Sequence, residues 1–287
     1  MILVFGAAGT CGASVVRSLV GREAKVRGFV RNEERAARAR EAGANEVAVG
    51  DLRDVASIEA ACKGISGVFY VAPKFVADEA SIGRMVVDVV SRAGVKRFVY
   101  QSALHSVITS MPHHELKRQV EVALRNSDLE FTILQCARFM HNISFFWRAI
   151  VEEGIFAEPF SADVPISDVD FKDVAEVAAL ALTKPDLGRG SFELCAEGML
   201  NRHKRAAILS EVLGRPVRAI AISLDEWREK NNSLTPFDRE ARALMFGHYD
   251  KYGFKGGNAT VLRAILGREP ASFRTFVEHY AAAAEKP

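Results

Sequence analysis

The sequence predicts an α/β protein built on a doubly wound parallel sheet, with a smaller, mostly helical C-terminal lobe. Short apolar runs alternate with amphipathic helical patterns from residue 1 to about residue 135, which is typical of a parallel sheet covered by helices. The first strand and helix are separated by the glycine motif Gly6-x-x-Gly9-x-x-Gly12. Beyond residue 140 the alternation loosens, and mostly short helical patterns follow.

The opening strand, turn and helix predict a binding site for the phosphates of a dinucleotide. An unbroken apolar run at residues 2–5 precedes the glycines. Glycines allow the tight turn, the close approach of a phosphate and the packing of the helix on the strand. The helix then presents free N–H groups and a positive dipole end to a pyrophosphate. The binding residues expected here are Gly6, Gly9, Thr10, Cys11 and Gly12. The alternative is a glycine-rich turn that binds no ligand.

The end of the second predicted strand, at residues 25–30, indicates which dinucleotide is bound. In dinucleotide folds this position faces the adenine ribose, where an acidic residue binds the 2′-hydroxyl of NAD. The sequence has Arg31 there, with Arg35 one helical turn later, and a guanidinium is a bidentate partner for a phosphate. We therefore predict NADP(H) in preference to NAD(H). The alternative is that Arg31 is a solvated residue at a helix start, since Glu33 and Glu34 follow it.

The remaining elements continue the alternation. Helices are expected near residues 33–42, 55–62, 79–93 and 113–126, and strands at residues 46–49, 67–71, 97–101 and 131–135. The carboxyl ends of parallel strands form the ligand-binding edge of such a sheet. Asp51, Ala72-Pro73-Lys74 and Ser102 each follow a predicted strand closely, and we therefore expect them at this edge.

The loss of alternation sets the expected domain boundary. Residues 1–153 are predicted to form the dinucleotide-binding domain, and residues 154–287 a smaller lobe on the substrate side. A return segment at about residues 164–196, with a strong helical pattern at residues 171–183, is expected to pack with the first domain. The lobe is otherwise expected to contain short helices and a strand at residues 217–222.

Composition and charge argue against several other functional classes. The chain has 287 residues, of which 49% are hydrophobic, and a formal net charge of +2. Nothing in this balance demands a nucleic-acid or membrane partner. The four cysteines are scattered without a Cys-x-x-Cys pair, which fits a reducing cytoplasm and argues against a structural metal. The basic stretch at residues 202–205 is interpreted as a solvated helix start. We expect a cytoplasmic protein without a metal ion.

Several motifs, taken in order, resemble the NmrA-like branch of the atypical short-chain dehydrogenase/reductases. They are Gly6-x-x-Gly9-x-x-Gly12, Arg31, Gly50-Asp51-Leu52, Gln101-Ser102-Ala103, His113 to Lys117, Thr132-Ile133-Leu134 and Phe139-Met140-His141-Asn142. The resemblance covers residues 1–145 well and the remainder only in general plan. Members of this branch include NADPH-dependent reductases and NADP-sensing regulators with little or no turnover.

The resemblance implies a Rossmann fold and assigns roles around the cofactor. The glycine loop would bind the pyrophosphate, and Arg31 the 2′-phosphate. Asp51 and Leu52 would contact the adenine. Ala72-Pro73-Lys74 would line the path to the nicotinamide.

One helix differs from the usual catalytic pattern of the wider superfamily, which is a serine followed by Tyr-x-x-x-Lys. Here the helix has His113-x-x-x-Lys117, and a spacing of four places both side chains on one helical face. Lys117 is interpreted as a catalytic residue that binds the ribose and relays a proton, or alternatively as a snorkelling surface lysine. His113 is either a proton donor near neutral pH or a helix-start residue without a chemical role.

Three further polar positions bear on this site. Ser102 occupies the place of the superfamily's serine and is predicted to hydrogen-bond a substrate carbonyl. His114 and Glu121 are expected to face solvent. A literal Tyr70-x-x-x-Lys74 spans a strand end and a proline turn, so its side chains do not share a helical face, and we discount it.

An aromatic stretch at residues 139–147 follows the sixth strand. It is expected to line a flat, apolar substrate pocket through Phe139, His141 and Asn142, although core packing explains its later residues equally well. Cys11 lies at a helix start, where thiol pKa values fall. It is either a redox-sensing thiol or, with better support, a small apolar packing residue.

Together these residues favour an NADPH-dependent oxidoreductase of the NmrA-like type. It would transfer hydride to a small, flat, conjugated acceptor such as a quinone, an enone or an aromatic dye. The alternative is an NADP(H)-binding, redox-sensing regulator with little or no turnover, which the missing tyrosine supports. A sugar epimerase or dehydrogenase needs that tyrosine and has the least support. The sequence is compatible with a homodimer, and the regulator hypothesis adds a protein partner.

Overall fold

The computed structural model describes residues 1–284 and divides into two compact units. The first unit comprises Met1–Thr109, His113–Cys136 and Phe171–Glu193. The second comprises Ser110–Pro112, Ala137–Asp170 and the chain from Leu194 onward. This division differs from the predicted boundary, since residues 137–153 belong to the second unit.

Strands and helices alternate along the first half of the chain, as the sequence predicts. The strands are β1 (Ile2–Phe5), β2 (Val26–Val30), β3 (Glu46–Val49), β4 (Gly67–Val71), β5 (Arg97–Ala103), β6 (Glu130–Cys136), β7 (Arg138–Phe139), β8 (Ile155–Glu158), β9 (Asp168–Val169), β10 (Gly190–Leu194) and β11 (Arg218–Ala221). The helices are α1 (Thr10–Val20), α2 (Glu33–Glu41), α3 (Val55–Ala61), α4 (Glu79–Arg92), α5 (Pro112–Arg125), α6 (Trp147–Glu153), α7 (Phe171–Thr183), α8 (Arg202–Leu213), α9 (Leu224–Lys230), α10 (Pro236–Tyr252), α11 (Thr260–Leu266) and α12 (Phe273–Ala284). Within residues 1–284, no helix is both long and apolar enough to cross a membrane.

A seven-stranded sheet in the order β10-β6-β5-β4-β1-β2-β3 organises the first unit. The pairs from β3 through β6 are parallel, and β1 pairs with β2 on one side and β4 on the other. The chain therefore runs outward from β1 in both directions, which is the doubly wound arrangement that the sequence predicts. Because these strands are parallel, their carboxyl ends share one edge, and the loops predicted to bind the cofactor follow those ends.

One face of this sheet packs against α3, α4 and α5 through a continuous apolar core. Two tyrosines lie within it, and they are opposite each other in the register of neighbouring strands, Tyr70 on β4 and Tyr100 on β5. Their rings stack with centroids 5.8 Å apart, and both side chains are fully buried. Each phenol therefore contributes a large apolar surface to the core and a hydroxyl that water does not reach.

The second unit combines short strands with helices α6 and α8–α12. Strand β8 pairs in parallel with β11, and β7 with β9. Three of these strands, β7, β8 and β9, have no counterpart in the sequence prediction, because two to four residues show too little alternation to recognise. Residues Met140–Phe145 form a 3₁₀ helix before α6, which begins at Trp147.

The interpretation of residues 202–205 as a solvated helix start is wrong for the two arginines, whereas His203 and Lys204 are exposed as expected. Arg202 and Arg205, on the first turn of α8, are both buried. The Arg202 guanidinium lies 3.2 Å from Glu158, and Arg205 pairs with Asp168. Glu158 also lies 2.9 Å from Arg138. Arg202 and Arg205 therefore belong to an internal ion cluster, whose members come from distant parts of the chain.

Candidate functional site

The loop between β1 and α1 has the geometry of a phosphate cradle. Gly6 adopts a positive φ of 71°, and Gly9 N–H donates to the Gly6 carbonyl at 2.9 Å. A Cβ at Gly12 would lie 2.2 Å from the Gly6 carbonyl oxygen, so only glycine permits this approach of helix to loop. The first turn of α1 has no acidic residue and no side-chain cap. Its amide groups and positive dipole end therefore fit an anionic phosphate.

Cys11 is part of this turn but does not have the properties of a reactive thiol. Its sulfur hydrogen-bonds the side-chain oxygen of Gln101 on β5. Burial raises the pKa of the Cys11 thiol to about 12, although the nearby Lys74 cation opposes the shift. A buried thiol with a raised pKa is inert, which favours the packing role over the redox-sensing one.

Arg31 directly follows β2, at the edge where the sheet ends, and its side chain is exposed. The next residue, Asn32, caps α2 by accepting from the Arg35 amide at 3.0 Å. Within residues 1–284, no carboxylate forms an ion pair with Arg31, so its guanidinium is available to an anionic ligand. Strand β2 itself approaches the phosphate loop closely, since a Cβ at Gly28 would lie 2.8 Å from the Ala7 Cβ.

Asp51 and Leu52 follow β3 at the same edge. Asp51 is exposed, and one of its carboxylate oxygens accepts from the Arg53 amide at 2.9 Å. Leu52 is partly buried and packs against the core of the first unit. This pair presents a fixed carboxylate and an apolar surface side by side, which suits a flat heteroaromatic base.

The loop after β4 contains Ala72, Pro73 and Lys74. Ala72 is buried and Lys74 is exposed, and the Lys74 charge is close enough to act on the Cys11 thiol. The loop therefore reaches the phosphate cradle. Phe75, at a positive φ of 52°, turns its ring onto His113 with centroids 4.8 Å apart, which brings the start of α5 to the same place.

Both histidines at the start of α5 are buried. His113 packs between Phe75 and His114, whose ring centroid is 4.5 Å away. The expectation that His114 faces solvent is wrong, because its Nδ1 lies 3.0 Å from the His105 carbonyl oxygen. Helical periodicity could not show this contact, since the loop that carries His105 folds over the first turn of the helix.

Lys117 forms an ion pair with Glu79, the first residue of α4. The ammonium nitrogen lies 2.5 Å from Glu79 Oε1, and the side chains are 17% and 1% exposed respectively. The pairing depends on the close crossing of α4 and α5, where a Cβ at Gly83 would lie 2.3 Å from Val120. Glu79 lies one turn before Gly83 on α4, and Lys117 lies one turn before Val120 on α5. The two side chains meet there.

Ser102 is buried at the end of β5, and its hydroxyl donates to Glu121 Oε1 at 2.5 Å. Gln135 Nε2 donates to both oxygens of the same carboxylate at 3.1 Å. Glu121 is buried, so its expected place on a wetter helix face is wrong. While its proton is directed at Glu121, the Ser102 hydroxyl has none to offer a substrate carbonyl.

Sequence reasoning gave no role in this region to four polar residues: Gln101, Gln135, Glu79 and Glu121. The first two had a recognisable signal, since each is an amide within an otherwise apolar strand. Such a residue needs a buried hydrogen-bond partner. The two glutamates had no comparable signal in the sequence, because a glutamate on a helix is ordinarily exposed.

The residues predicted to line the substrate pocket belong to the second unit. Phe139 ends β7, and His141 and Asn142 lie in the 3₁₀ helix that follows. The His141 ring packs edge-on against Tyr280 with centroids 5.5 Å apart. Trp147 meets the same tyrosine at 4.8 Å, which shows that the later aromatic residues contribute to the core of this unit.

Within residues 1–284, no group of histidine, cysteine or acidic side chains is arranged to hold a metal ion. The cradle, the guanidinium of Arg31 and the Lys117 ion pair instead provide cationic and amide donors. This donor set fits a ligand with several phosphates and a ribose.

Comparisons with known proteins point in the same direction. The model of the NmrA-like family matches residues 1–255. An NAD(P)H azoreductase from Xenophilus azovorans is 32% identical over 296 residues, which cover 99% of each chain. The NADPH-dependent quinone oxidoreductase of Escherichia coli, complexed with NADPH, aligns with a TM-score of 0.84 at 23% identity over 98% of this chain and 100% of that one. Triphenylmethane reductase from Citrobacter sp., complexed with NADP(H), aligns with a TM-score of 0.84 at 23% identity, over 97% of this chain and 99% of that one.

Proposed function

The chain belongs to the NmrA-like family, and from this premise we propose that it is an NADPH-dependent reductase of flat, conjugated acceptors. The observation that supports this most directly is the uncapped, glycine-lined start of α1 next to the exposed Arg31. Together they match the pyrophosphate and the 2′-phosphate of one cofactor. The preference for NADPH over NADH rests on Arg31, since a carboxylate at this place would repel the 2′-phosphate.

The chemistry of the acceptor follows from what the relatives have in common. They are named as an azoreductase, a quinone oxidoreductase and a triphenylmethane reductase. Azo compounds and quinones are flat and conjugated, triphenylmethane dyes are conjugated across a shallow propeller of three aryl rings, and each accepts a hydride. We assign Phe139, His141 and Asn142 to acceptor binding, because an aromatic surface with a few polar groups suits such molecules.

The cofactor supplies the hydride, so the residues of this chain mainly bind and orient the two reactants. The first turn of α1 holds the pyrophosphate. Asp51-Leu52 contacts the adenine, and Ala72-Pro73-Lys74 lies along the nicotinamide side. Lys117 donates to the nicotinamide ribose.

Two measurements test this function. Binding of NADPH and NADH is titrated by calorimetry, and NADPH oxidation is followed with a quinone, an azo dye and a triphenylmethane dye. We expect tighter binding of NADPH than of NADH and turnover with at least one acceptor. Absence of NADPH binding would overturn the proposal.

One observation favours a second function, that of an NADP(H)-sensing regulator. His113 occupies the position of the superfamily's catalytic tyrosine and is buried between two rings. Tight NADPH binding without turnover on any acceptor of the panel would support the regulator and exclude the reductase.

A further inference from the structure

We propose that Glu79 is a positioning residue that holds the Lys117 ammonium group in place at the cofactor site. Lys117 then acts as a hydrogen-bond donor to the ribose and does not supply a proton to the reduced acceptor. This inference rests on the proposed function. It separates ribose binding from proton relay, two roles that the sequence analysis assigns to Lys117 together.

The burial of the carboxylate is the first argument. Glu79 is 1% exposed, and its Oε1 lies 2.5 Å from the Lys117 ammonium. Within residues 1–284, Lys117 is the one cation that forms an ion pair with Glu79, and Glu79 Oε2 has no hydrogen-bond partner. A buried carboxylate is tolerated only when its charge is compensated. The Lys117 ammonium group supplies that compensation.

The two tyrosines in the neighbouring strands cannot take over this compensation. Burial, together with the Glu79 charge, raises the pKa of Tyr70 and of Tyr100. Both phenols therefore stay neutral. Their hydroxyls are buried without a hydrogen-bond partner within the described chain, and neutral phenols do not neutralise the carboxylate.

Four titratable groups near this pair have partners of their own. Asp78, next to Glu79, pairs with Arg53 at 2.7 Å. Glu121, one turn after Lys117, accepts from Ser102 and Gln135. His113, one turn before Lys117, packs between Phe75 and His114. Lys74, on the preceding loop, acts on Cys11. Each of these neighbouring groups thus has a partner other than Lys117 or Glu79.

The consequence for binding is geometric. An ammonium group has three N–H donors. One is directed at Glu79, which fixes the torsion of the group and leaves two donors for neighbouring ribose hydroxyls. Lys117 is partly exposed, whereas Glu79 is not, so the pair presents its cationic end outward.

The consequence for chemistry concerns the proton. Hydride transfer breaks a C–H bond of the cofactor and forms a bond to hydrogen on the acceptor, which then carries an extra electron pair. A proton from water completes the reduction. The N–H bonds of Lys117 stay intact throughout, so an arginine, which cannot be deprotonated in proteins, preserves the chemistry at this position.

The test compares Glu79→Gln, Lys117→Met, Lys117→Arg and the double variant Glu79→Gln/Lys117→Met in the full chain. Calorimetry gives Kd for NADPH, and steady-state oxidation with a quinone gives kcat and KM. We expect Glu79→Gln to raise Kd and KM for NADPH by about tenfold to a hundredfold, with a much smaller change in kcat. In the Lys117→Met background, Glu79→Gln should weaken binding no further, since Glu79 acts through Lys117.

Lys117→Arg separates the two roles of the lysine. If Lys117 acts only as a bound cation, the arginine variant should lose affinity for NADPH but keep a measurable kcat. Lys117→Met should lose more affinity. Turnover abolished in Lys117→Arg at saturating NADPH would show that the lysine is a proton donor and would overturn the inference. Equal effects of Glu79→Gln with and without Lys117 would overturn it as well.

Two controls keep the outcomes distinct. Glu59→Gln removes an exposed glutamate whose ion pair with Arg92 spans 3.8 Å, and it should match the wild type in all three constants. If Glu79→Gln does not fold, Glu79→Asp replaces it, and its shorter side chain should weaken NADPH binding in the same direction. Failure of the wild type to bind NADPH would refute the proposed function. Normal wild-type turnover with unchanged constants in Glu79→Gln would refute only the role of Glu79.

Discussion

The Ser102 hydroxyl donates to the buried carboxylate of Glu121 at 2.5 Å, across the interface between β5 and α5. This bond gives a serine at a strand end a structural role, where the sequence alone suggested contact with substrate. Ser102→Ala should lower the free energy of unfolding by about 1–3 kcal/mol, because it removes a donor from a buried carboxylate. Urea denaturation measures this change.

The double variant Ser102→Ala/Glu121→Gln provides the control. Because the two residues are in direct contact, their effects should not add. A change in stability below about 0.5 kcal/mol for Ser102→Ala, accompanied by loss of kcat, would instead place Ser102 at the substrate.

Arg31→Asp should weaken NADPH binding by about tenfold to a hundredfold, since it replaces a charge-assisted partner of the 2′-phosphate by a carboxylate. NADH lacks that phosphate, so its Kd should change little or improve. Arg38→Asp is the matched control, because Arg38 lies on the following helix and its partner is Glu34 at 3.7 Å. Equal losses for NADPH and NADH in Arg31→Asp would contradict the cofactor preference.

Gly12→Ala should disrupt the phosphate cradle. Its methyl group would overlap the Gly6 carbonyl oxygen, which belongs to the backbone and cannot rotate away. We expect a loss of about 1–3 kcal/mol of stability together with loss of NADPH binding. Gly247→Ala is the control: Gly247 lies in α10, and an added methyl group there would have no neighbouring atom within 4 Å. This change should stabilise the protein by about 1 kcal/mol.

Cys11 should react with iodoacetamide at pH 8 about a thousandfold more slowly than a free cysteine, because its pKa of about 12 leaves little thiolate. Mass spectrometry of the alkylated peptide measures the rate. The pKa of the Cys11 thiol is higher in the folded state than in the unfolded state. The thiol therefore contributes to the free energy of unfolding below the unfolded pKa. That contribution is lost as the pH rises through the folded pKa. Denaturation in urea should restore ordinary reactivity, and rapid alkylation of the native protein would contradict the assignment.

Local patterns in the sequence were sufficient to predict the fold and the glycine turn between β1 and α1. Strand, glycine turn and helix follow one another within residues 2–20, so short-range spacing determines their geometry. The position of Arg31 is equally local, since it follows β2 directly. The sheet order then follows from the connectivity of alternating strands and helices.

The two buried glutamates could not be predicted in this way. Glu79 is 38 residues from Lys117, and Glu121 is 19 residues from Ser102. Periodicity indicates which face of a helix is apolar, but it does not indicate which polar groups of another element that face will meet. The crossing of α4 and α5 at Gly83 determines those contacts, and it depends on the packed core as a whole.

Glu158→Gln should destabilise the second unit by about 3–5 kcal/mol, because it leaves buried cations without their counter-charge. Glu158 contacts Arg138 at 2.9 Å and Arg202 at 3.2 Å. Burial opposes its ionisation, but these cations outweigh burial and lower the pKa of Glu158. A depressed folded pKa stabilises the native state above the unfolded pKa, and this contribution disappears as the pH falls through the folded value. The difference in unfolding free energy between wild type and Glu158→Gln should therefore be largest at neutral pH and shrink in acid.

Glu152→Gln is the control variant, because it breaks an exposed pair with Arg148 at 2.9 Å. It should change stability by less than about 1 kcal/mol at every pH. A comparable loss of stability in both variants would refute the role of the buried cluster.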